Sequence, residues 1–259
     1  MAESKETEAL VLASTELGES DLIITLFCQD VGRLSAMAKG AKRSLKRFVN
    51  KLEIFSFLHI TYQQKASSSL AFLAEAELHT GFLHIRRNLE IYSIASVIRE
   101  FLLIGVKENE PAGDIFRLSL WALHNLDRIQ PPMTVLALFL IRFYDYIGYR
   151  PDLQCCAHCG SLVDRKQRYG FDSSSGRIVC SLCSPHLHNR IALSHGTIKI
   201  LRTAQDQPLD RLHRLKISGP ILFEAISLLK SYGNQLFQRD MISWKIAGNF
   251  MTSHRGHFV

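Results

Sequence analysis

No run of 18 or more apolar residues occurs in this sequence, which excludes a hydrophobic helix long enough to span a bilayer. The first ten residues, MAESKETEAL, are polar and acidic and lack the apolar centre of a secretory signal, so the expected location is the cytoplasm and not a membrane. The motifs G-x-x-x-x-G-K-[ST], G-x-G-x-x-G, G-x-S-x-G and H-E-x-x-H are all missing, which removes the usual nucleotide-binding, serine-hydrolase and zinc-protease signatures. There is no internal repeat and no low-complexity segment. Six cysteines without a secretory signal argue for thiols or metal ligands, not for a disulfide framework. One further absence is local: residues 33–51 contain no Asp or Glu.

That acid-free stretch holds seven cations, Arg33, Lys39, Lys42, Arg43, Lys46, Arg47 and Lys51. The first 80 residues otherwise lean acidic, with 9 Lys/Arg against 10 Asp/Glu, so nearly all their positive charge is gathered in one place. The whole chain carries a net charge of +7. A solvated surface loop would explain an arbitrary charge run. A concentrated basic stretch beside a strand-rich module, punctuated by glycine, fits better with a surface that tracks a phosphate backbone.

Five short strands are expected, at residues 8–16, 22–28, 34–39, 54–62 and 70–78, with turn signals about every ten residues. A short helix is expected at 44–51. A five-stranded barrel with a helix after its third strand is the OB-fold pattern, whose loops and one sheet face hold single strands. Phe48, Phe55 and Tyr62 are candidates for stacking on bases, although alternating strand aromatics are more often core. The turn Glu19-Ser20-Asp21 reads as a hairpin cap, and Cys28 as an inert buried thiol. His59, His79, His84 and His124 are scattered and read as surface or satisfied core histidines.

After residue 81 the apolar period becomes helical. Helices are expected at 83–105, 115–129 and 133–147, the last very apolar and bundle-central, and again from Ser194, which can cap its helix, and over 218–236. From residue 191 onward there are 9 Lys/Arg against 4 Asp/Glu, so Arg202, Arg211, Arg214, Lys216 and Lys230 are candidates to extend the positive surface. The tail after Trp244 is expected to be frayed or loosely docked. Between these helices, Cys156 and Cys159 form one C-x2-C pair and Cys180 and Cys183 a second, twenty residues on. Two such turns present four thiolates to one ion, so the expected cofactor is structural Zn2+. Residues 169–171 and 177–179 read as two arms of a small ribbon. Cys155, His158, His186 and His188 stand near as alternative ligands, but four thiolates already close the coordination sphere, leaving no position for a catalytic water. The fold class is therefore α+β: an N-terminal five-stranded OB-fold β-barrel followed by an α-helical domain with an embedded four-cysteine zinc-ribbon module. The expected divisions are 1–80, 81–152, 153–190 and 191–259.

The stretches ALVL, ELGESDLIITLF and GRLSAMAKGAKRS, then a helical domain and the late C-x2-C-G and C-x2-C pairs, resemble the bacterial recombination mediator family RecO across nearly the whole chain. The resemblance implies a non-enzymatic role in DNA repair: binding single- and double-stranded DNA, annealing complementary strands, and acting with RecR to load RecA onto DNA coated by single-strand-binding protein. It implies contact with the acidic, Phe-ending tail of that coating protein through the helical domain, an indirect relation to RecA, and a place on the nucleoid. The cations of residues 33–51 match the family's DNA-facing segment, and the cysteines match its metal-bearing branch. The runner-up is an OB-fold and zinc-ribbon interaction module of an RNA-processing or transcription assembly, which would prefer structured RNA. A metal-dependent hydrolase or deaminase would need an open zinc site.

Overall fold

The computed structural model describes residues 3–65, 68–128, 130–184 and 190–253. The chain forms two compact units, Met1–Leu89 with Arg99–Leu123, and Glu90–Ile98 with His124–Val259.

The first unit is built on a closed barrel of β1 (Ser4–Leu17), β2 (Asp21–Cys28), β3 (Gly32–Ala38), β4 (Phe57–Gln63) and β5 (Leu70–Thr80), in the order β1-β2-β3-β5-β4. β4 returns to pair with β1, and β3 meets β5 in parallel. This is the OB-fold arrangement. The alternation that marks these strands in the sequence is also what closes the barrel: Leu58, Ile60 and Tyr62 point inward and are buried, while Phe57, His59 and Thr61 are only half-covered. Ala9, Val11, Ile24, Leu26, Leu34, Ala36, Ala71 and Leu73 complete the interior. Each fully buried Leu or Ile contributes about 1.5–3 kcal/mol relative to an exposed one.

The segment between β3 and β4 departs from the expected helix over 44–51. Only a single 3-10 turn forms, at Ala41–Arg43. Ser44 is extended and residues 45–55 are bends and turns, with Asn50 and Phe55 at φ of 55° and 72°. Packing decides this: Phe48 and Leu52 are drawn into the barrel core, and the chain reverses between them. Phe48, Phe55 and Tyr62 are 3%, 1% and 2% exposed, so none can stack on a base.

The expected helix at 83–105 is interrupted at Asn88, whose backbone is extended (φ −116°, ψ 114°). It divides into α1 (Leu83–Arg87) and α2 (Leu89–Gly105), followed by α3 (Gly113–Asp127). Within the first unit, Phe116 packs edge-on against Phe27 at 5.3 Å, and Arg99 donates to the Leu12 carbonyl at 3.1 Å.

The second unit centres on α4 (Pro132–Tyr146), whose residues 135–141 are buried without a break, as its apolar sequence implies. Against it pack α5 (His195–Asp206) and α7 (Gly219–Phe237), with the short α6 (Leu209–Leu212) between them in sequence. Ser194 caps α5 by accepting from the Thr197 N–H. Arg142 of α4 donates to the Gln205 and Gln207 carbonyls at 2.6 and 3.0 Å, closing the other end of α5. A four-stranded sheet, β6 (Asp152–Cys156), β7 (Tyr169–Asp172), β8 (Arg177–Cys180) and β9 (Ile191–Leu193), has the order β6-β8-β7-β9. The ribbon arms are β7 and β8. β9 pairs with β7 across a long sequence separation, which the sequence alone does not reveal. Of the tail expected to fray, residues up to 253 form α8 (Ser243–Ser253), with Trp244 and Ala247 buried, and residues 254–259 lie outside the described residues. No described helix is long and apolar enough to cross a membrane.

Candidate nucleic-acid interface and metal centre

The basic stretch begins in β3 and runs over the loop that follows. Its position is fixed by the turn before β2. The Asp21 carboxylate accepts from the Gly40 N–H at 2.7 Å and the Ser20 hydroxyl at 2.9 Å, and the Ser20 carbonyl accepts from the Lys42 N–H at 3.0 Å. Donation from Gly40, then from Ser20, holds the Asp21 carboxyl below its ordinary value of 3.8, with a further contribution from Lys39. Gly40 has φ of 68°, in the left-handed region. The expected hairpin cap is thus also the clamp on the basic turn.

The seven cations do not share one environment. Arg33 is turned inward: its guanidinium donates to the Leu103 carbonyl and, at 3.2 Å, to Glu108, while its backbone N–H reaches the Lys107 carbonyl at 3.0 Å. Gly32 lies so close to this segment that an added Cβ would sit 2.2 Å from the Glu110 carbonyl oxygen. Lys51 is half-buried and donates to the Ala76 carbonyl at 2.7 Å. Arg47 bridges the Ala74 and Lys39 carbonyls at 3.4 and 3.1 Å and lies over the Phe48 ring at 4.9 Å. Lys42 pairs with Glu16 at 2.7 Å and Arg43 with Glu19 at 3.3 Å. The Arg43 pair is almost fully exposed, so it is screened by salt and adds little to stability. Among the described residues, the exposed Lys39 and Lys46 make no side-chain hydrogen bond or ion pair, and Lys39 acts on Asp21 through its charge alone. Lys39, Lys42, Arg43, Lys46 and Arg47 therefore form an exposed cationic run around Leu45, which is 88% exposed.

The sequence shows the cations but not Glu16 and Glu19. These acids come from β1 and the turn after it, and only the strand pairing brings them to Lys42 and Arg43.

The four predicted cysteines converge. Their Sγ atoms all lie within 4.8 Å of one another, with Cys159 and Cys180 at 3.9 Å. A tetrahedron with Zn–S bonds of about 2.3 Å places its sulfurs about 3.8 Å apart. Cys156 ends β6 and Cys180 ends β8, and both are buried; Cys159 and Cys183 sit on exposed turns. Gly160, at φ of 70°, closes the first turn by donating to the Cys156 carbonyl at 2.9 Å. The Cys183 and Ser184 N–H groups close the second on the Cys180 carbonyl. Burial works to raise the Cys156 thiol, but N–H donation from Cys159, Cys180 and His158 outweighs it and brings the thiol down to about 6. Cys183 is pushed up to about 12, first by its hydrogen bond with Cys159 and then by that with Cys180. Thiolates this close repel one another, and a divalent cation resolves that repulsion. The donor set fits a closed structural zinc site. Cys155 and His158 stay outside the cluster; His186 and His188 lie outside the described residues.

The module is held to the helices of its own unit by aromatic contacts. Tyr232 of α7 meets Tyr144 of α4 edge-on at 5.1 Å and Phe171 of β7 at 5.5 Å, and its hydroxyl donates to the Tyr149 carbonyl at 3.1 Å.

Two family models together match nearly the whole chain. The model for the recombination protein O N terminal matches residues 1–82, and the model for the recombination protein O C terminal matches residues 86–245. The chain belongs to the RecO family. Among its curated relatives, the DNA repair protein RecO of Syntrophus aciditrophicus is 30% identical over 243 residues, 93% of this chain and 94% of the relative. That of Desulfatibacillum aliphaticivorans is 36% identical over 230 residues, 87% and 89% of the two chains. That of Syntrophobacter fumaroxidans is 32% identical over 210 residues, 81% and 83%. These matches establish the RecO resemblance that the GESD, GRLS and AKGA stretches suggest. In this chain, those stretches are the clamp turn, the start of β3 and the basic turn.

Proposed function

We propose that this chain is a non-enzymatic recombination mediator that binds single- and double-stranded DNA through its barrel, anneals complementary strands, and works with RecR to load RecA onto DNA coated by single-strand-binding protein. The observation that carries this reading is the exposed, acid-free cationic run on a barrel of the single-strand-binding type. Lys39, Lys42, Arg43, Lys46 and Arg47 take phosphates. The exposed Glu16 and Glu19 are exchangeable partners that phosphate oxygens displace. Arg33 and Lys51 anchor the run to the rest of the first unit and shape it. Neutralised phosphates release counterions and lower the repulsion between two strands, which favours annealing without sequence readout.

In this reading, residues 1–80 form the DNA-binding part. Residues 81–152 and 191–259 form the helical part that receives the acidic tail of the single-strand-binding protein, with RecA engaged only indirectly. Residues 153–190 form a Zn2+ module that folds its surroundings and takes no part in chemistry. The setting is the cytoplasm, on the nucleoid. The test is a K42E/R43E/K46E/R47E variant. It is expected to keep the wild-type fold and to lose strand annealing, with single-strand affinity at least tenfold lower. Normal annealing by a folded variant would remove the proposal, and tighter binding to structured RNA than to single-stranded DNA would favour an RNA-processing role instead.

A further inference from the structure

We propose that Glu8, His59 and His79 form a second metal site, on the outer face of the barrel, that takes a borderline divalent cation of the Zn2+, Co2+ or Ni2+ class. The three residues come from β1, β4 and β5 and are distant in sequence. Strand register brings them together: His59 lies opposite Glu8 across the β1–β4 pairing and opposite Glu77 across the β4–β5 pairing. Their donor atoms all lie within 4.8 Å of one another. His59 Nδ1 is 3.2 Å from Glu8 Oε1, and His79 Nε2 is 3.2 Å from Oε1 and 2.9 Å from Oε2.

The spacing is that of ligands around one ion. Bonds of about 2.0–2.1 Å at tetrahedral angles separate donor atoms by about 3.3 Å. The donor set of two imidazoles and one carboxylate suits that class of metal and leaves coordination positions open.

Two further features favour a cation. Glu8 Oε2 is shielded from solvent and accepts no hydrogen bond among the described residues, with His79 Nε2 2.9 Å away. A shielded carboxylate oxygen without a donor is destabilising, and a metal ion would satisfy it. The surroundings are also negative: Glu6 Oε2 lies 3.7 Å from the far nitrogen of His59, and Glu77 is its register neighbour. Negative charge this close strengthens the local attraction for a cation. The His79 ring is held by Phe57, with centroids 4.9 Å apart, and Phe57 by Phe116 at 6.2 Å. A bound ion would clip β1, β4 and β5 together on the outside of the barrel, apart from the four thiols and built from different chemistry.

The experiment uses the full chain with its thiolate centre filled by one equivalent of Zn2+, titrated with Co2+ and followed by equilibrium dialysis and absorption. The expected result is one further ion per chain with weak visible d–d bands and no intense thiolate-to-cobalt charge transfer. The H59Q/H79Q variant should lose that ion. E8Q should weaken its binding on the order of tenfold or more. Both histidines are partly exposed, so both variants should keep the wild-type circular dichroism spectrum and one zinc. Absence of a second ion in the wild type, its persistence in H59Q/H79Q, or its appearance with charge-transfer bands would each overturn the proposal. Failure of the thiolate centre to hold the first Zn2+ would instead count against the four-thiolate zinc reading.

Discussion

Replacing Gly32 with alanine separates two kinds of glycine requirement in the turns that frame the basic loop. Gly32 and Gly40 both have left-handed backbones, at φ of 71° and 68°. An L-residue in that region costs about 1–2 kcal/mol. At Gly40 that is the whole cost, because no atom of the described residues lies within 4 Å of the added Cβ. At Gly32 the Cβ would sit 2.2 Å from the Glu110 carbonyl oxygen and 2.8 Å from that of Lys107. Both are backbone atoms that no rotamer change moves aside. The 107–110 segment must shift, which disturbs the hydrogen bonds Arg33 N–H to Lys107 and Asn109 N–H to Arg33. At about 1 kcal/mol each, these bring G32A to about 3–4 kcal/mol against about 1–2 for G40A. Each kcal/mol lowers the melting temperature by several degrees, so G32A should melt well below G40A. Urea denaturation of both variants, with thermal melts alongside, measures the difference. Equal destabilisation by the two substitutions would refute the argument that the 107–110 backbone crowds Gly32.

Two other outcomes follow from the same geometry. If the four thiols hold a structural metal, chelation or C180A should open residues 152–184 to proteolysis, because a structural metal contributes folding free energy directly; unchanged protease resistance after chelation would contradict this. Asp21 has a folded-state value below its ordinary 3.8, so its clamp stabilises fully above that pH and is lost as pH falls through the lower folded value. The stability gap between wild type and D21N should therefore be constant at neutral pH and close under acid; a gap that widened on acidification would reverse the assignment.

Much of this architecture is legible without coordinates because it is local. Strand alternation at residues 57–63, the apolar run of α4 and the C-x2-C spacing each carry their own signal. What escapes is decided by partners far away in sequence. Leu45, Phe48 and Leu52 have helix-like spacing, yet Phe48 and Leu52 are claimed by the barrel and the helix does not form. The tail looks polar enough to fray, but Trp244 and Ala247, three residues apart, bury one face of α8, and Met241 is buried just before it. Arg33 is indistinguishable from its neighbours in the sequence, and only the structure shows its guanidinium committed to Leu103 and Glu108. His59 and His79 look scattered until register places both beside Glu8.

The central claim is tested most directly by fluorescence-polarisation binding to a labelled single strand across a salt series, bare and pre-coated with single-strand-binding protein. Five phosphate-contacting cations predict that log affinity falls with log salt at a slope of about −3.5, at about −0.7 per phosphate for single strands. The account predicts that slope on bare DNA, binding that persists on the coated strand, and weakening when the coating protein's acidic tail is removed. No binding to either bare or coated DNA would contradict it.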